Sequence, residues 1–360
     1  VLGVTAQETQ ASVDAALTFG ILWMHHCRER LAASCHVEGL KLFVPPGTAA
    51  IVRERMAHLN HAAAKWHLYS LDESTEWADE LDATDRGNIE TRLVQMPDHA
   101  AVRARFAASI ARVMPLVPQC ELTVLSAAEI SFRLRGLEFA RASLDCLPGT
   151  TGFRNPERLT FGTGPNETEL NDGTQPQFVE LMQRVCELRS PYAKLNPLWR
   201  MVPERWLESL VLRDVTALHD RLDPRHVYSQ VPAFAAADRG MIDVLTCTRG
   251  GRLAIIELKA DEDIHLPLQG VDYWARVVWH QSGGEFQRFG YFTGHELSSK
   301  SPLLLLVAPA LRVHPATDTI LHYVAPEVPI ELVGIDERWR ECVRVVFRKR
   351  RSEELALHCT

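Results

Sequence analysis

The sequence predicts an α/β (or α+β) protein with a C-terminal domain built on a mixed central sheet flanked by helices, and a separate N-terminal α/β domain. Two observations lead to this fold class. Apolar runs with strand-like and helix-like periods alternate along both halves of the chain. Between the halves, residues 146–176 contain five Gly and four Pro, which is typical of an irregular connection. The predicted boundaries are an N-terminal domain over 1–145, a linker over 146–176 and a C-terminal domain over 177–360.

The predicted N-terminal domain alternates helices with strands. Helices are expected over 11–31, 48–60 and 98–114, and strands over 39–44, 66–71 and 121–139, the last of these as one or two strands. His25, His26 and Cys27 are adjacent and cannot all face one ion from a helix. We assign no site to this part of the chain.

The predicted C-terminal domain follows a longer sequence of elements. Helices are expected over 203–222, 267–279 and 316–324, and strands over 227–234, on both sides of Gly250-Gly251, and over 285–293, 302–308 and 330–335. Pro203 and Pro267 suit the first turns of their helices, because proline lacks the amide hydrogen that a first turn leaves unused.

Asp243, Glu257 and Lys259 place charges in two apolar runs that flank the Gly250-Gly251 hairpin signal. Glu257 and Lys259 are two residues apart, so on a strand they project from the same face. A two-residue turn would direct Asp243 to the opposite face. A three-residue loop that includes Arg249 would place Asp243 opposite Glu257 on one face. We expect the three-residue loop, or a bulge with the same effect.

An acid, a spacer and then Glu-x-Lys on adjacent strands resembles the signature of the PD-(D/E)XK nuclease superfamily. Ile242 stands where the proline that names the motif would be, and family members often vary there. The resemblance covers roughly residues 203–336, where the order of helix, three strands, helix, strand, helix and strand is similar to the family's core. It implies a restriction-endonuclease-like fold and metal-dependent cleavage of phosphodiester bonds.

The resemblance also implies roles for the three charged residues. Asp243 and Glu257 would hold Mg²⁺ or Mn²⁺ together with the backbone carbonyl of Leu258, since these ions prefer hard oxygen ligands. Lys259 would orient or deprotonate the attacking water, or stabilise the developing charge. The alternative for the triad is a surface Asp beside a cross-strand Glu–Lys ion pair, which contributes little.

Further residues match the family on neighbouring helices. Glu208 corresponds to an acid on the first helix that reaches the metal, and its alternative is a solvated carboxylate near a helix N-terminus. Gln269 and Tyr273 lie four apart on one helical face and resemble the Gln-x-x-x-Tyr pattern of the RecB-like branch, where they line the site beside the DNA strand. Their alternative is ordinary helix surface with a packed tyrosine. The acid run 261–263 is expected to be a solvated turn.

The overall composition limits which partners and which cellular compartment are expected for the protein. The net charge of −7 does not indicate nucleic-acid binding, although a local basic groove is sufficient to bind DNA. Residues 344–351 carry five cations, which would either contact phosphates or keep a solvated edge strand from pairing with another chain. The eight cysteines show neither zinc spacing nor an iron–sulphur set, so free thiols in a reducing cytoplasm are expected. No apolar run reaches membrane length.

The sequence therefore predicts a magnesium- or manganese-dependent nuclease in which a metal-activated water hydrolyses phosphodiesters, with DNA as the expected partner. The N-terminal domain would recognise substrate, regulate activity or form a homodimer. Two alternatives stay open. The first is a catalytically silent nucleic-acid-binding or interaction protein, and the second is a nuclease gated by a ligand at the N-terminal domain.

Overall fold

The structure is a computed structural model that describes residues 1–30, 36–87, 91–144, 157–164, 167–232, 234–235 and 240–350. It confirms the α/β class, with a mixed six-stranded sheet flanked by helices. The chain forms two compact units. The first unit comprises Val1–Val94, Asp214–Glu337 and the described part of Arg344–Thr360, and the second comprises Gln95–Arg213 and Arg338–Val343. The predicted separate domain over 1–145 is not confirmed, since residues 1–94 cluster with the six-stranded sheet.

The strands are named in chain order. They are β1 (Leu2–Gly3), β2 (Gly39–Val44), β3 (Lys65–Asp72), β4 (Trp77–Leu81), β5 (Thr91–Arg92), β6 (Glu121–Ser126), β7 (Glu129–Leu134), β8 (Leu137–Leu144), β9 (Glu157–Phe161), β10 (Thr168–Glu169), β11 (Leu222–Pro232), β12 (Phe234–Ala235), β13 (Met241–Thr248), β14 (Leu253–Leu258), β15 (Leu303–Pro309), β16 (Ile330–Ile335) and β17 (Val345–Arg350).

The helices are named in the same way. They are α1 (Gln10–Arg30), α2 (Ala50–Ala57), α3 (His99–Arg105), α4 (Ala107–Val113), α5 (Gln175–Leu188), α6 (Pro197–Arg200), α7 (Pro203–Arg213), α8 (Leu266–Ser282), α9 (Glu285–Arg288) and α10 (Thr317–His322), with short 3₁₀ turns at Val215–Ala217 and Ala310–Arg312.

The six-stranded sheet of the first unit has the order β11-β13-β14-β15-β16-β17. Strands β11, β13 and β14 form an antiparallel meander, β14, β15 and β16 run parallel, and β17 returns antiparallel at the edge. Every residue of β14 and β16 is buried. Continuous apolar runs are what parallel strands need, because helices cover both faces of such a sheet.

Helix α8 connects β14 to β15 and packs on the sheet through Gly270. A Cβ atom at this position would lie 2.5 Å from a Leu306 methyl carbon, so only glycine allows this close approach. On the other side of α8, Asp272 receives hydrogen bonds from the Arg55 guanidinium at 2.8–3.1 Å. This buried bidentate ion pair joins α2 to α8 and places the N-terminal segment against the sheet's helical layer.

The N-terminal part of the first unit has its own four-stranded sheet, in the order β1-β2-β3-β4. Helix α1 buries a stripe against it (Val13, Leu17, Ile21 and Met24). An antiparallel bridge joins Leu59 to Val324, and the amide of Asn60 donates to the Tyr323 carbonyl at 2.7 Å. Residues from both ends of the described chain thus form one hydrogen-bonded unit.

The second unit is a five-stranded antiparallel sheet in the order β10-β9-β8-β7-β6, packed by helices. Its buried core includes Phe106, Phe132, Phe139 and Phe178. Strands β9 and β10 occupy part of the segment predicted as a linker, and Leu159 and Phe161 of β9, which pairs with β8, are buried. Residues 145–156 of that segment lie outside the described part of the chain.

Two element predictions for the C-terminal half of the chain were wrong, and in the N-terminal half the segment 121–139 holds parts of three strands rather than one or two. The helix predicted over 203–222 ends at Arg213, because the Asp214 carboxylate accepts the amide of Thr216 and starts a 3₁₀ turn. The strand predicted over 285–293 is the short helix α9 followed by a loop. Gly284 with φ of 61° starts that turn, and Phe292 packs against Tyr228 instead of joining a ladder.

The basic C-terminal run forms β17, the edge strand of the sheet. Arg348 and Arg350 both donate to the buried carboxylate of Glu331, at 2.8 and 2.9 Å. Lys349 lies 2.6 Å from Asp318. Three of the five cations are therefore paired within the fold, which favours the edge-strand interpretation over phosphate contacts. Among the helices described, none combines the length and apolar character that a bilayer crossing requires.

Candidate active site

The hairpin of β13 and β14 has the register on which the sequence interpretation depends. Val244 pairs with Ile256 and Leu245 with Ile255, so the same register places Asp243 opposite Glu257. The amide of Thr248 donates to the Arg252 carbonyl at 2.7 Å and closes a loop of three residues, 249–251. The expected three-residue loop is confirmed, and both acids face the same side of the sheet.

Asp243 lies where the β13–β14 ladder stops. One of its carboxylate oxygens accepts the backbone amide of Leu258 at 2.9 Å. Its other oxygen accepts the side-chain amide of Gln230 at 3.2 Å. The Asp243 carboxylate thus takes the place of a backbone carbonyl of β13 as the acceptor for the Leu258 amide. It is held between Gln230 of β11 and Leu258 of β14. The ladder ends here in polar side-chain contacts rather than in further apolar pairs.

Glu257 and Lys259 form a buried pair next to Asp243. Glu257 is 1% exposed and Lys259 8%, and the lysine Nζ lies 3.3 Å from a glutamate oxygen. Asp263 provides a second carboxylate 3.7 Å from Nζ. Two carboxylates offset the desolvation cost of burying an ammonium. This burial distinguishes the pair from the exposed ion pair that was its alternative, because buried charges require a specific arrangement of partners.

Gln269 and Tyr273 project from the first two turns of α8 toward the same place. The Gln269 side-chain amide donates to the Tyr273 hydroxyl at 3.3 Å. Burial and then the negative charges of Glu257 and Asp243 raise the pKa of Tyr273 to about 12. Because that electrostatic effect requires proximity, the tyrosine and the two acids belong to one cluster. Tyr273 is 6% exposed, while Gln269 is half-buried.

Gln230 was missed by the sequence interpretation. It lies opposite Asp243 in the β11–β13 pairing, since Ser229 pairs with Val244 and Val231 with Ile242. Its φ is 50°, in the left-handed region that non-glycine residues rarely occupy. Such a conformation costs on the order of 1–3 kcal/mol and concentrates at functional sites. A left-handed residue cannot be identified from composition, and only the β11–β13 register reveals its position.

The acids after the motif and His265 serve the local fold. Asp263 accepts the amide of His265 at 2.8 Å at the start of α8. The His265 ring nitrogen contacts the Thr18 hydroxyl at 3.2 Å, and its ring packs edge-on against Phe19. Asp261 and Glu262 are exposed, as a solvated turn requires. Asp263 is the exception, because it contacts Lys259.

Glu208 lies on α7 in the second unit. It is 3% exposed, and its carboxylate accepts a hydrogen bond from Arg205 at 3.0 Å. A solvated first-turn carboxylate, the alternative for this residue, is therefore wrong. Its role as a metal ligand stays a prediction.

The donor set fits a hard divalent cation. Asp243 and Glu257 supply carboxylate oxygens from opposite positions on one face, which is the chemistry that Mg²⁺ and Mn²⁺ prefer. Leu258 directs its amide hydrogen toward β13. Because the N–H and C=O of one strand residue project toward the same neighbour, its carbonyl belongs on that side too. The ligands Asp243, Glu257 and Leu258 are thus compatible with one ion.

No protein-family model matches the chain, and comparison with curated proteins finds no significant relative.

Proposed function

We propose that this protein is a metal-dependent nuclease that hydrolyses phosphodiester bonds, with DNA as its substrate and Mg²⁺ or Mn²⁺ as its cofactor. One observation carries the proposal. Asp243 and Glu257 lie opposite each other where an apolar hairpin ends, with a buried lysine 3.3 Å from Glu257. Burying these three charges has a desolvation cost, so packing alone does not explain why they stand at this position.

The residues divide the work of phosphodiester hydrolysis. Asp243, Glu257 and the Leu258 carbonyl would hold the ion, which when bound supplies Lewis-acid stabilisation and a water of lowered pKa. Lys259 would neutralise negative charge that develops on the scissile phosphate. Asp263 would hold the lysine ammonium through a second ion pair at 3.7 Å. Gln230 would hold Asp243 in a fixed rotamer through its hydrogen bond.

Gln269 and Tyr273 would contact the substrate. The Tyr273 hydroxyl, with its pKa raised to about 12, stays protonated at neutral pH and can donate to a phosphate oxygen. Gln269 offers both a donor and an acceptor from a half-buried position and would place the water or the sugar–phosphate backbone. Glu208 is proposed as a further metal ligand on the strength of the family resemblance alone.

Cleavage assays test the proposal. Linear and circular DNA, single- and double-stranded, are incubated with the protein in Mg²⁺, Mn²⁺ or EDTA, beside the variant Lys259→Ala. We expect cleavage that requires the metal and is lost in the variant. Lys300→Ala is the matched control, since Lys300 is exposed on a loop of the same unit. Cleavage of circular substrates would identify an endonuclease.

Unchanged cleavage in Lys259→Ala would refute the assignment of the site. Absence of cleavage with every substrate and metal would favour a silent binding protein or a ligand-gated enzyme. Described cysteines 27, 120, 186, 247 and 342 are free thiols. These support the proposed location in a reducing cytoplasm, and gel filtration of the active protein tests the proposed homodimer.

A further inference from the structure

Strand β11 contains a wide irregularity far from the acidic cluster. Leu222 pairs with Thr248, and the next pair joins Val227 to Thr246. Residues 223–226 therefore lie opposite the single residue Cys247 and are displaced from the ladder. The Thr246 hydroxyl donates to the His226 carbonyl at 2.7 Å and holds the displaced segment. Bulges of this kind redirect side chains and are found beside functional sites.

The bulge brings Asp223 and His226 next to His295, which is distant in the sequence. One potential ligand atom from each residue lies within 4.8 Å of those of the other two. The rings of His226 and His295 have centroids 5.0 Å apart. Asp223 is 1% exposed, and both histidines are half-buried. Three residues with metal-binding side chains thus converge on one point.

His295 is held in place by the loop after α9. The amide of Phe292 donates to the Tyr228 hydroxyl of β11 at 2.6 Å, and the His295 amide donates back to the Phe292 carbonyl at 3.0 Å. Gly294 adopts a φ of 72°, which reverses the chain before the histidine. The His295 Nε2 atom is buried and accepts or donates no hydrogen bond within the described residues. A buried ring nitrogen in that state needs an explanation.

We propose that Asp223, His226 and His295 form a binding site for a transition-metal ion, of which Zn²⁺ is the expected one. Two imidazole nitrogens and one carboxylate oxygen are a donor set that suits Zn²⁺ and other late divalent metals rather than Mg²⁺. This site is additional to the proposed nuclease centre and shares none of its residues.

The cluster must contract to match a tetrahedral zinc site. Ligand atoms about 2.05 Å from zinc are about 3.4 Å apart in a tetrahedron. The observed separations of up to 4.8 Å close to that value when each atom moves by about 0.8 Å, which small side-chain rotations provide. Three protein ligands leave one position for water or another small ligand.

Arg225 explains part of the site without a metal. Its guanidinium contacts both oxygens of Asp223 at 2.7–3.2 Å and holds the carboxylate ionised. The Arg225 backbone amide also donates to Asp223 at 3.0 Å, so of about four lone-pair positions on the carboxylate about one remains for another partner. The Arg225 side chain is 72% exposed and therefore free to shift. This ion pair accounts for Asp223 but not for the two histidines.

One further observation concerns the surroundings of His295. This residue lines an open cavity of about 400 Å³ together with Gly251 and Glu296.

Calorimetric titration of the full chain with Zn²⁺ tests this inference. We expect one tightly bound ion per chain, and about a 100-fold loss of affinity in His295→Ala and in Asp223→Asn. His99→Ala is the control for adventitious binding, since His99 is an exposed histidine of the second unit. Co²⁺ gives a second readout, because its visible absorption reports nitrogen ligation and a low coordination number.

His226→Gln keeps the size of the side chain while removing the imidazole, so a loss of binding in that variant cannot be assigned to a collapsed bulge if its thermal unfolding is unchanged. Wild-type protein that binds no Zn²⁺, or binding that survives all three substitutions, would overturn the inference. None of these measurements depends on DNA cleavage. The zinc site and the proposed nuclease can therefore fail separately.

Discussion

The two ends of β13 carry different chemistry on the same sheet. Near its start, Asp243 faces Glu257 and offers carboxylate oxygens. Near its end, about 14 Å away for four residues of strand, the β11 bulge offers imidazoles. The residues between them are apolar or fully buried. Polar groups reach a common point only where the ladder is interrupted, at one end by the Asp243 side chain and at the other by a bulge.

The two regions also differ in how their residues come together. The acidic cluster is local, because Asp243, Glu257 and Lys259 belong to a single hairpin. In the Asp223–His226–His295 cluster, His295 is 69 positions after His226 (295 − 226), and its loop is fixed to β11 by Tyr228. A local site forms with its hairpin, whereas the distant one forms only when the loop after α9 docks. We therefore expect their disruption to have separable effects.

The largest effect is expected at the acidic end. Asp243→Asn and Glu257→Gln remove the charges that hold the cation and should reduce the cleavage rate by on the order of 10³-fold or more. Asp261→Asn is the matched control, because this acid is exposed in the turn after the motif. Zinc affinity should stay unchanged in all three. A joint loss of cleavage and zinc binding would contradict the separation of the two regions.

The next effect concerns stability at the other end. A ligand at 100 times its Kd raises the free energy of unfolding by about 2.7 kcal/mol. Chemical denaturation with saturating Zn²⁺ should show this gain in the wild type and lose it in His295→Ala. Mg²⁺ at the same ratio of concentration to affinity should stabilise both proteins equally. Equal zinc stabilisation of both proteins would place the ion elsewhere.

A smaller effect is expected from the residue that orients Asp243. Gln230→Ala removes a hydrogen bond of 3.2 Å to the carboxylate and should slow cleavage about tenfold, which corresponds to about 1.4 kcal/mol. Gln269→Ala should also weaken cleavage less than loss of either acid. Single-turnover rates with saturating DNA measure both, with the exposed Gln287→Ala as control. Rates equal to that control would limit Gln230 to a role in folding.

The smallest effect is expected at Arg225. Its exposed guanidinium places a positive charge beside the proposed zinc ligands, so Arg225→Ala should tighten zinc binding about threefold. Calorimetry at low ionic strength gives the best resolution, because salt screens the exposed charge. Tenfold weaker zinc binding would instead mean that Arg225 positions Asp223, as Gln230 is proposed to position Asp243 at the other end of β13.

The sequence was sufficient for the features that depend on local periodicity. Strands β2 and β16 have the predicted bounds, and the hairpin register followed from the glycine loop and the positions of the charges. The predicted linker and the separate domain over 1–145 do not match the division of the chain into two compact units. The ion pair of Arg55 with Asp272 shows why, because a contact across 217 positions leaves no trace in composition or periodicity.

The same limit applies to the second cluster. His226 and His295 look like isolated histidines in the sequence, and the 285–293 segment was predicted as a strand. Aromatic residues of that segment pack on Tyr228 instead. Once that loop was misassigned, the position of His295 could not be deduced.

The first unit is built from segments that the second unit separates, and this matters during synthesis. Residues 1–94 leave the ribosome before residues 214–337, yet the Arg55 guanidinium finds its partner Asp272 only after that later segment emerges. Residues 95–213 form most of the other unit and can close in the meantime. We expect nascent chains arrested before residue 335 to remain protease-sensitive within residues 1–94 while 95–213 is already protected. Early protection of residues 1–94 would show that the four-stranded sheet folds alone, without the strands that later carry both proposed metal sites.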